Sequence, residues 1–205
     1  PEVIGEHSSK RVLTMSFESG NSLDQLESYS QDEKNRLGHN LVRMIAHQLF
    51  ELNHIHADPN PGNFAFQPDG SIIVYDFGCT KKLPRPIIRS YRDAIVHSID
   101  KDYDAFDEDL LRLGVREPNG PPIEHAYYEL WREIILHPLL KNEEYDFGTS
   151  VIHKHVLEQV PGLLKRLSSF RPPKELVFLD RMVAGHYGNL LTLGAQVKVG
   201  SIIEP

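Results

Sequence analysis

Between residues 30 and 78 this chain leaves its backbone little choice. Ser30 followed by Glu33 is the pattern of a capping box, where each side chain satisfies the other's backbone N–H. Leu37, Leu41, Met44, Ile45, Leu49 and Leu52 then recur at helical spacing, which predicts a long helix from residue 31 to about 54. Asp58-Pro59-Asn60-Pro61-Gly62 forbids its continuation, because proline removes the donor and clashes with the preceding turn. Phe64-Ala65-Phe66 and Ser71 to Asp76 read as two strands joined by the turn Pro68-Asp69-Gly70. Asp76-Phe77-Gly78 then opens a loop lasting to about Pro86.

Outside this block, Arg11 to Phe17 reads as a strand and Glu18 to Asn21 as a turn. Leu23, Leu26 and Tyr29 suggest a short amphipathic helix. Further helices are expected at 86–99, 103–113, 122–137, 150–168 and 174–194, the last opened by Pro172-Pro173. The class is therefore α+β: a mostly helical lobe with one small hairpin. Its uncharged run from Met182 to Val197 contains His186, Asn189, Thr192 and Gln196. It falls short of the ~20 apolar residues of a membrane span and predicts a packed helix.

Composition narrows the function. Lys and Arg number 22 against 29 Asp and Glu, a net charge of −7, which argues against nucleic acid as a partner. The single cysteine, Cys79, cannot form an internal disulfide, so a reducing, cytoplasmic compartment is expected. Eleven histidines keep a metal site in play.

Nucleotide-dependent phosphoryl transfer needs a carboxylate at the attacking hydroxyl and oxygen ligands for a divalent cation. Asp58 and Asn63 lie five apart on one loop, and the hairpin separates Asn63 from Asp76 by thirteen. This is the order and spacing of the kinase catalytic loop, D-x-x-x-x-N, followed by D-F-G. The pieces are weak alone; together, behind a helix and around a hairpin, they are specific. A second Asp146-Phe147-Gly148 follows the polar Asn142-Glu143-Glu144-Tyr145 and reads as a loop or helix cap.

His56-Ala57-Asp58-Pro59-Asn60-Pro61-Gly62-Asn63 closely resembles the H-A-D-P-H-P-G-N signature of the UbiB-like (AarF or ADCK-type) atypical kinases, departing from it at Asn60. Val12 to Gly20 resembles that family's segment between the two lobes, and Tyr145 to Thr149 a phrase of its helical region. The resemblance implies a kinase-like C-terminal lobe over residues 18–205, with residues 1–17 a remnant of the other lobe and hinge. It implies ATP or ADP with Mg²⁺ as cofactors, Asp58 as the catalytic carboxylate, and Asn63 and Asp76 as metal ligands. Met15, Ser16, Phe17 and Glu18 would line the adenine pocket, and His56 would brace the metal-binding loop. Quinone-biosynthesis proteins or lipid intermediates, and peripheral contact with the inner membrane, are implied partners. The phosphate-clamping lysine and its glutamate partner are expected outside this stretch of sequence, so the chain by itself should bind nucleotide weakly.

Other readings stay open from the residues. Met15 to Phe17 fits an ordinary core strand equally well. Tyr75, Phe77 and Cys79 read as packing residues. Aminoglycoside- or choline-type phosphotransferases share the D-x-x-x-x-N loop, and a nucleotide-sensing pseudokinase scaffold would use the same pocket. His54, His56 and Asp58 form an H-x-H-x-D run that could hold the zinc of a hydrolase, although Pro59 departs from that pattern. His153 and His155 read as a solvated helix face.

Overall fold

The computed structural model describes residues 1–141, 143–171 and 173–203. Asn142, Pro172 and Glu204-Pro205 lie outside the described residues, so the expectation for Pro172 goes unexamined. Pro173 stands at the N-cap of the last long helix.

Helix α1, Gln31–Ala46, begins with the expected box: Ser30 N–H donates to Glu33 Oε2 at 2.8 Å, and Glu33 N–H donates to Ser30 Oγ. Its buried stripe is Leu37, Gly38, Leu41 and Val42. The helical pattern continues, but the backbone does not stay α-helical. His47–Leu52 widens into a π-helix that stops at Asn53, whose φ of 52° lies in the left-handed region. His54–His56, expected at the helix end, instead forms strand β1, antiparallel to β4, Thr80–Lys82. Three-residue strands carry too little periodicity to be read beforehand.

The hairpin forms as expected from β2, Phe64–Phe66, and β3, Ile72–Val74, with Phe64 opposite Val74. Gly70 at the turn adopts φ 97°, which a side chain would resist. Helices α2 (Arg85–Asp100), α3 (Tyr103–Arg112), α4 (His125–Ile135), the short α5 (His137–Leu140), α6 (Ile152–Leu164) and α7 (Lys174–Leu193) match the predicted set within a few residues. Strand β5, Tyr145–Asp146, pairs with β6, Gln196–Val197, before a last turn, α8 (Gly200–Ile203). His153 and His155 are exposed on α6, as expected.

Arg11 to Phe17 is not a continuous strand. Two isolated bridges, Val3 with Met15 and Ser9 with Val12, are its only ladder contacts among the described residues. A strand needs a neighbour along its length, and here only Glu2 to Ile4 lies alongside. The core-strand reading also fails at Phe17, which is 92% exposed.

Two apolar clusters make the core. One gathers Leu26, Leu37, Leu41, Phe64, Phe66, Leu190 and Val197. The other gathers Leu49, Ile55, Ala57, Leu83, Ile88, Leu179 and Met182. At 1.5 Å per residue, the 20 residues of α7 span about 30 Å and reach both. The loop from Ala57 to Phe64 also runs from one cluster to the other. The middle of α7 therefore meets the loop that carries Asp58.

No helix among the described residues is long and apolar enough to cross a membrane.

Candidate active site

Asp58 leaves β1 on the Pro-rich loop and is held from two sides. Asn63 Nδ2 donates to its Oδ2 at 2.9 Å and to its carbonyl at 3.2 Å. Arg181 Nη2, from α7, donates to Oδ1 at 2.7 Å. Both oxygens of the carboxylate are engaged, each still with a lone pair to offer. Asn63 ends a short 3-10 turn, Pro61–Asn63, capped by the Asn60 side chain on Gly62 N–H at 3.0 Å. That cap shows why asparagine serves at position 60.

Asp76 arrives through the hairpin. Tyr75 N–H donates to the Asn63 carbonyl at 3.0 Å, so the strand that delivers Asp76 runs beside Asn63. Gly78 N–H donates to Asp76 Oδ1 at 2.6 Å, a tight local turn. Asp76 Oδ2 and Asn63 Oδ1 have no protein donor among the described residues. They offer one charged and one neutral hard oxygen, the donor chemistry that suits Mg²⁺.

His56 lies beneath. It is buried, its N–H donates to Gln48 Oε1 at 2.6 Å, and its Nε2 faces the Asp76 carbonyl. The ring sets its edge against Phe64 and Phe77. This contact is the one the resemblance implies for His56, and the side chains of His54, His56 and Asp58 are not gathered as the zinc reading requires. Nε2 is occupied by a carbonyl, and no three His, Cys, Asp or Glu side chains converge among the described residues. Phe77, expected in the packing, is instead 62% exposed.

The adenine-side residues divide. Ser16 Oγ donates to Glu18 Oε1 at 2.7 Å, and Tyr75 Oη donates to the Glu18 carbonyl at 3.0 Å. Glu18 is thus tied to the strand that ends at Asp76. Met15 bridges Val3, and no hydrogen bond joins Met15, Ser16 or Phe17 to the Asp58 loop among the described residues.

Sequence reasoning missed the contribution of α7. Arg181, Gly185 and Asn189 fall four apart on one face and touch the loop in turn. Asn189 Nδ2 donates to the Pro59 carbonyl at 2.9 Å. Gly185 allows close approach, since an added Cβ would stand 2.6 Å from Pro59 Cβ and nearer still to Cγ. His186, fully buried beside them, has its pKa pushed down to about 4 by burial and, secondarily, by its nearness to His56. The i, i+4, i+8 spacing was the available signal, but it does not name its partner.

The model of the ABC1 atypical kinase-like domain matches residues 1–110. Over 209 residues the chain is 29% identical to the mitochondrial atypical kinase COQ8B of Rattus norvegicus, covering 100% of this chain and 39% of that protein. A probable serine/threonine-protein kinase, abkA of Dictyostelium discoideum, is 28% identical over 207 residues, covering 91% of this chain and 35% of its own. The chain thus spans well under half the length of these curated relatives. Among solved structures, Rv3197 of Mycobacterium tuberculosis, in complex with erythromycin, superposes with a TM-score of 0.80. It covers 99% of this chain and 52% of its own at 20% identity, which establishes the kinase-like fold alone. With the family's domain matched over more than half of its length, and Asp58, Asn63 and Asp76 in that half, the chain belongs to the ABC1 (UbiB-like) atypical kinase-like family.

Proposed function

We propose that this chain carries the catalytic lobe of an ATP- and Mg²⁺-dependent atypical kinase or ATPase. Asp58 is its catalytic carboxylate, and Asn63 and Asp76 are its metal ligands. The supporting observation is the division of roles at Asn63. Its amide nitrogen holds Asp58, while its oxygen stays available beside the strand that delivers Asp76. Asn63 and Asp76 would hold Mg²⁺, which would supply positive charge against the charge that develops during transfer. Asp58 orients an attacking hydroxyl or water and accepts its proton, a role that typically contributes about 10²–10⁴-fold. Arg181 fixes the carboxylate's second oxygen. Met15, Ser16, Phe17 and Glu18 face adenine in this reading, and the Tyr75–Glu18 hydrogen bond supports it by linking that segment to the metal-binding loop.

The family and its COQ8-named members support a role in ubiquinone biosynthesis; in this reading the partners are quinone-pathway proteins or lipid intermediates, with peripheral membrane contact. One observation favours a second reading, a nucleotide-sensing scaffold: both Asp58 oxygens already accept hydrogen bonds. Calorimetry of ATP and ADP, with and without Mg²⁺, tests the first reading against Asp76→Ala. Mg²⁺-dependent binding that disappears in Asp76→Ala is the expected result; binding indifferent to that change sinks the metal assignment. Biological activity that survives Asp58→Asn would favour the scaffold.

A further inference from the structure

His56 and His186 are neighbours beneath the catalytic loop, and each has one ring nitrogen accounted for. His56 Nε2 faces the Asp76 carbonyl, which only accepts, so Nε2 carries a proton and, in the neutral ring, Nδ1 is a bare acceptor. Asn189 Nδ2 donates to His186 Nδ1 at 3.3 Å, so in this ring Nδ1 is the acceptor and Nε2 carries the proton. The two remaining atoms, His56 Nδ1 and His186 Nε2, are buried without a partner among the described residues. One is an acceptor and the other a donor.

Their rings stand against the same phenylalanine. Centroid distances to Phe64 are 5.5 Å for His56 and 5.3 Å for His186, both edge-on. Buried polar atoms are nearly always satisfied by protein or by ordered water. A donor and an acceptor on two buried rings that share Phe64 provide the two partners one water requires.

We propose that His186 is a positioning residue for the metal-binding loop: its Nε2–H donates, through one buried water, to His56 Nδ1, and so holds His56 in the tautomer that grips the Asp76 carbonyl. The relay then runs from the Asp76 carbonyl through His56, the water, His186 and Asn189 to the Pro59 carbonyl. It ties together the backbones of the two loops that present Asp76 and Asp58. Without that donor, a proton on His56 Nδ1 would leave a bare Nε2 facing the carbonyl, two acceptors in opposition. The functional consequence rests on Asp76 being a metal ligand; the link itself does not.

Two-bond proton–nitrogen NMR on the full chain, labelled at histidine, reads both tautomers directly. The expected spectrum shows Nε2–H on both rings and a cross-peak from water to the His186 Nε2 proton. In His186→Leu, His56 should move to a mixture of tautomers. Mg²⁺-dependent ATP affinity should fall about tenfold, the lower end of what outer-shell partners of metal ligands typically contribute. His186→Gln retains an amide donor and should restore both readouts. An Nδ1–H tautomer on either wild-type ring overturns the proposal, as does an unchanged His56 tautomer in His186→Leu. If His186→Leu fails to fold, the wild-type tautomers and the water cross-peak decide alone. Failure of the wild-type chain to bind ATP would count against the proposed function and leave the tautomer result to judge the relay.

Discussion

Gly185→Ala isolates the contact between α7 and the loop that carries Asp58. On an open helix face this change gains about 1 kcal/mol, because alanine forfeits less backbone entropy than glycine. Here the new Cβ would lie 2.6 Å from Pro59 Cβ, where ordinary carbon contacts are about 3.5–4 Å. Pro59 cannot swing aside, since its ring is closed onto the backbone. Loop or helix must therefore move by at least about 1 Å, the shortfall from ordinary contact at Cβ, since Pro59 Cγ lies closer still. Overpacking of this kind costs about 1–3 kcal/mol, so the net loss of stability should be about 0–2 kcal/mol. Turnover should respond far more, because a misplacement of about 1 Å can cost roughly 10²-fold. Gly38→Ala is the control. Its Cβ would meet Val197 Cγ2 at 2.9 Å and also Ala195, in the core and away from the loop. By the same arithmetic it should lower stability by about 0–2 kcal/mol and leave turnover per folded molecule unchanged. Urea unfolding of this chain and ATP turnover of the longer protein that includes the phosphate-clamping lysine measure the two effects. A Gly185→Ala protein with full turnover would refute the argument that α7 sets the loop's position.

Two further predictions use the charges. Arg181→Gln removes a half-exposed ion pair, so stability should change by less than about 1 kcal/mol. Turnover should fall at least about tenfold if the guanidinium orients Asp58, with Arg181→Lys in between because it lacks the planar fork; unchanged turnover would make the pair incidental. The pH dependence has two limbs of opposite sign. The hydrogen bond from His97 Nδ1 to Asp109 raises the His97 pKa above its usual 6.5, so its contribution is full below that pH and is lost as pH climbs through the raised value. His186, pushed down to about 4, acts the other way: stability is full above pH 6.5 and declines as pH falls toward 4. Urea midpoints from pH 4 to 8 should lose their alkaline slope in His97→Gln and their acidic slope in His186→Gln. Slopes that persist in both variants would contradict these assignments.

The features legible in the sequence were those whose causes are local. The Ser30–Glu33 box and the Pro68–Gly70 turn act within a few residues, and each formed as read. The helix set followed from periodicity for the same reason. The two Asp-Phe-Gly stretches mark the limit. In both, the glycine N–H donates to the aspartate Oδ1, at 2.6 Å for Asp76 and 2.8 Å for Asp146, so the local turn is one and the same. Their surroundings differ. The Asp76 carbonyl rests on His56 beside the Asp58 loop, whereas Asp146 sits on a strand paired with Gln196. Strands β1 and β4 escaped notice because three residues show no period, and the π-helical widening before them has no residue signature. The α7 brace escaped because its partners are far away along the chain.

That distance governs when the site can exist. Arg181 and Asn189 reach back 123 and 130 residues to Asp58 and Pro59. At a synthesis rate of about 5–20 residues per second, the loop leaves the ribosome roughly 6–26 s before the helix that steadies it. The hairpin can close in microseconds, yet the carboxylate it accompanies waits for a helix made more than a hundred residues later. A nascent chain halted before residue 174 would hold every motif of the active site and none of the helix that shapes it.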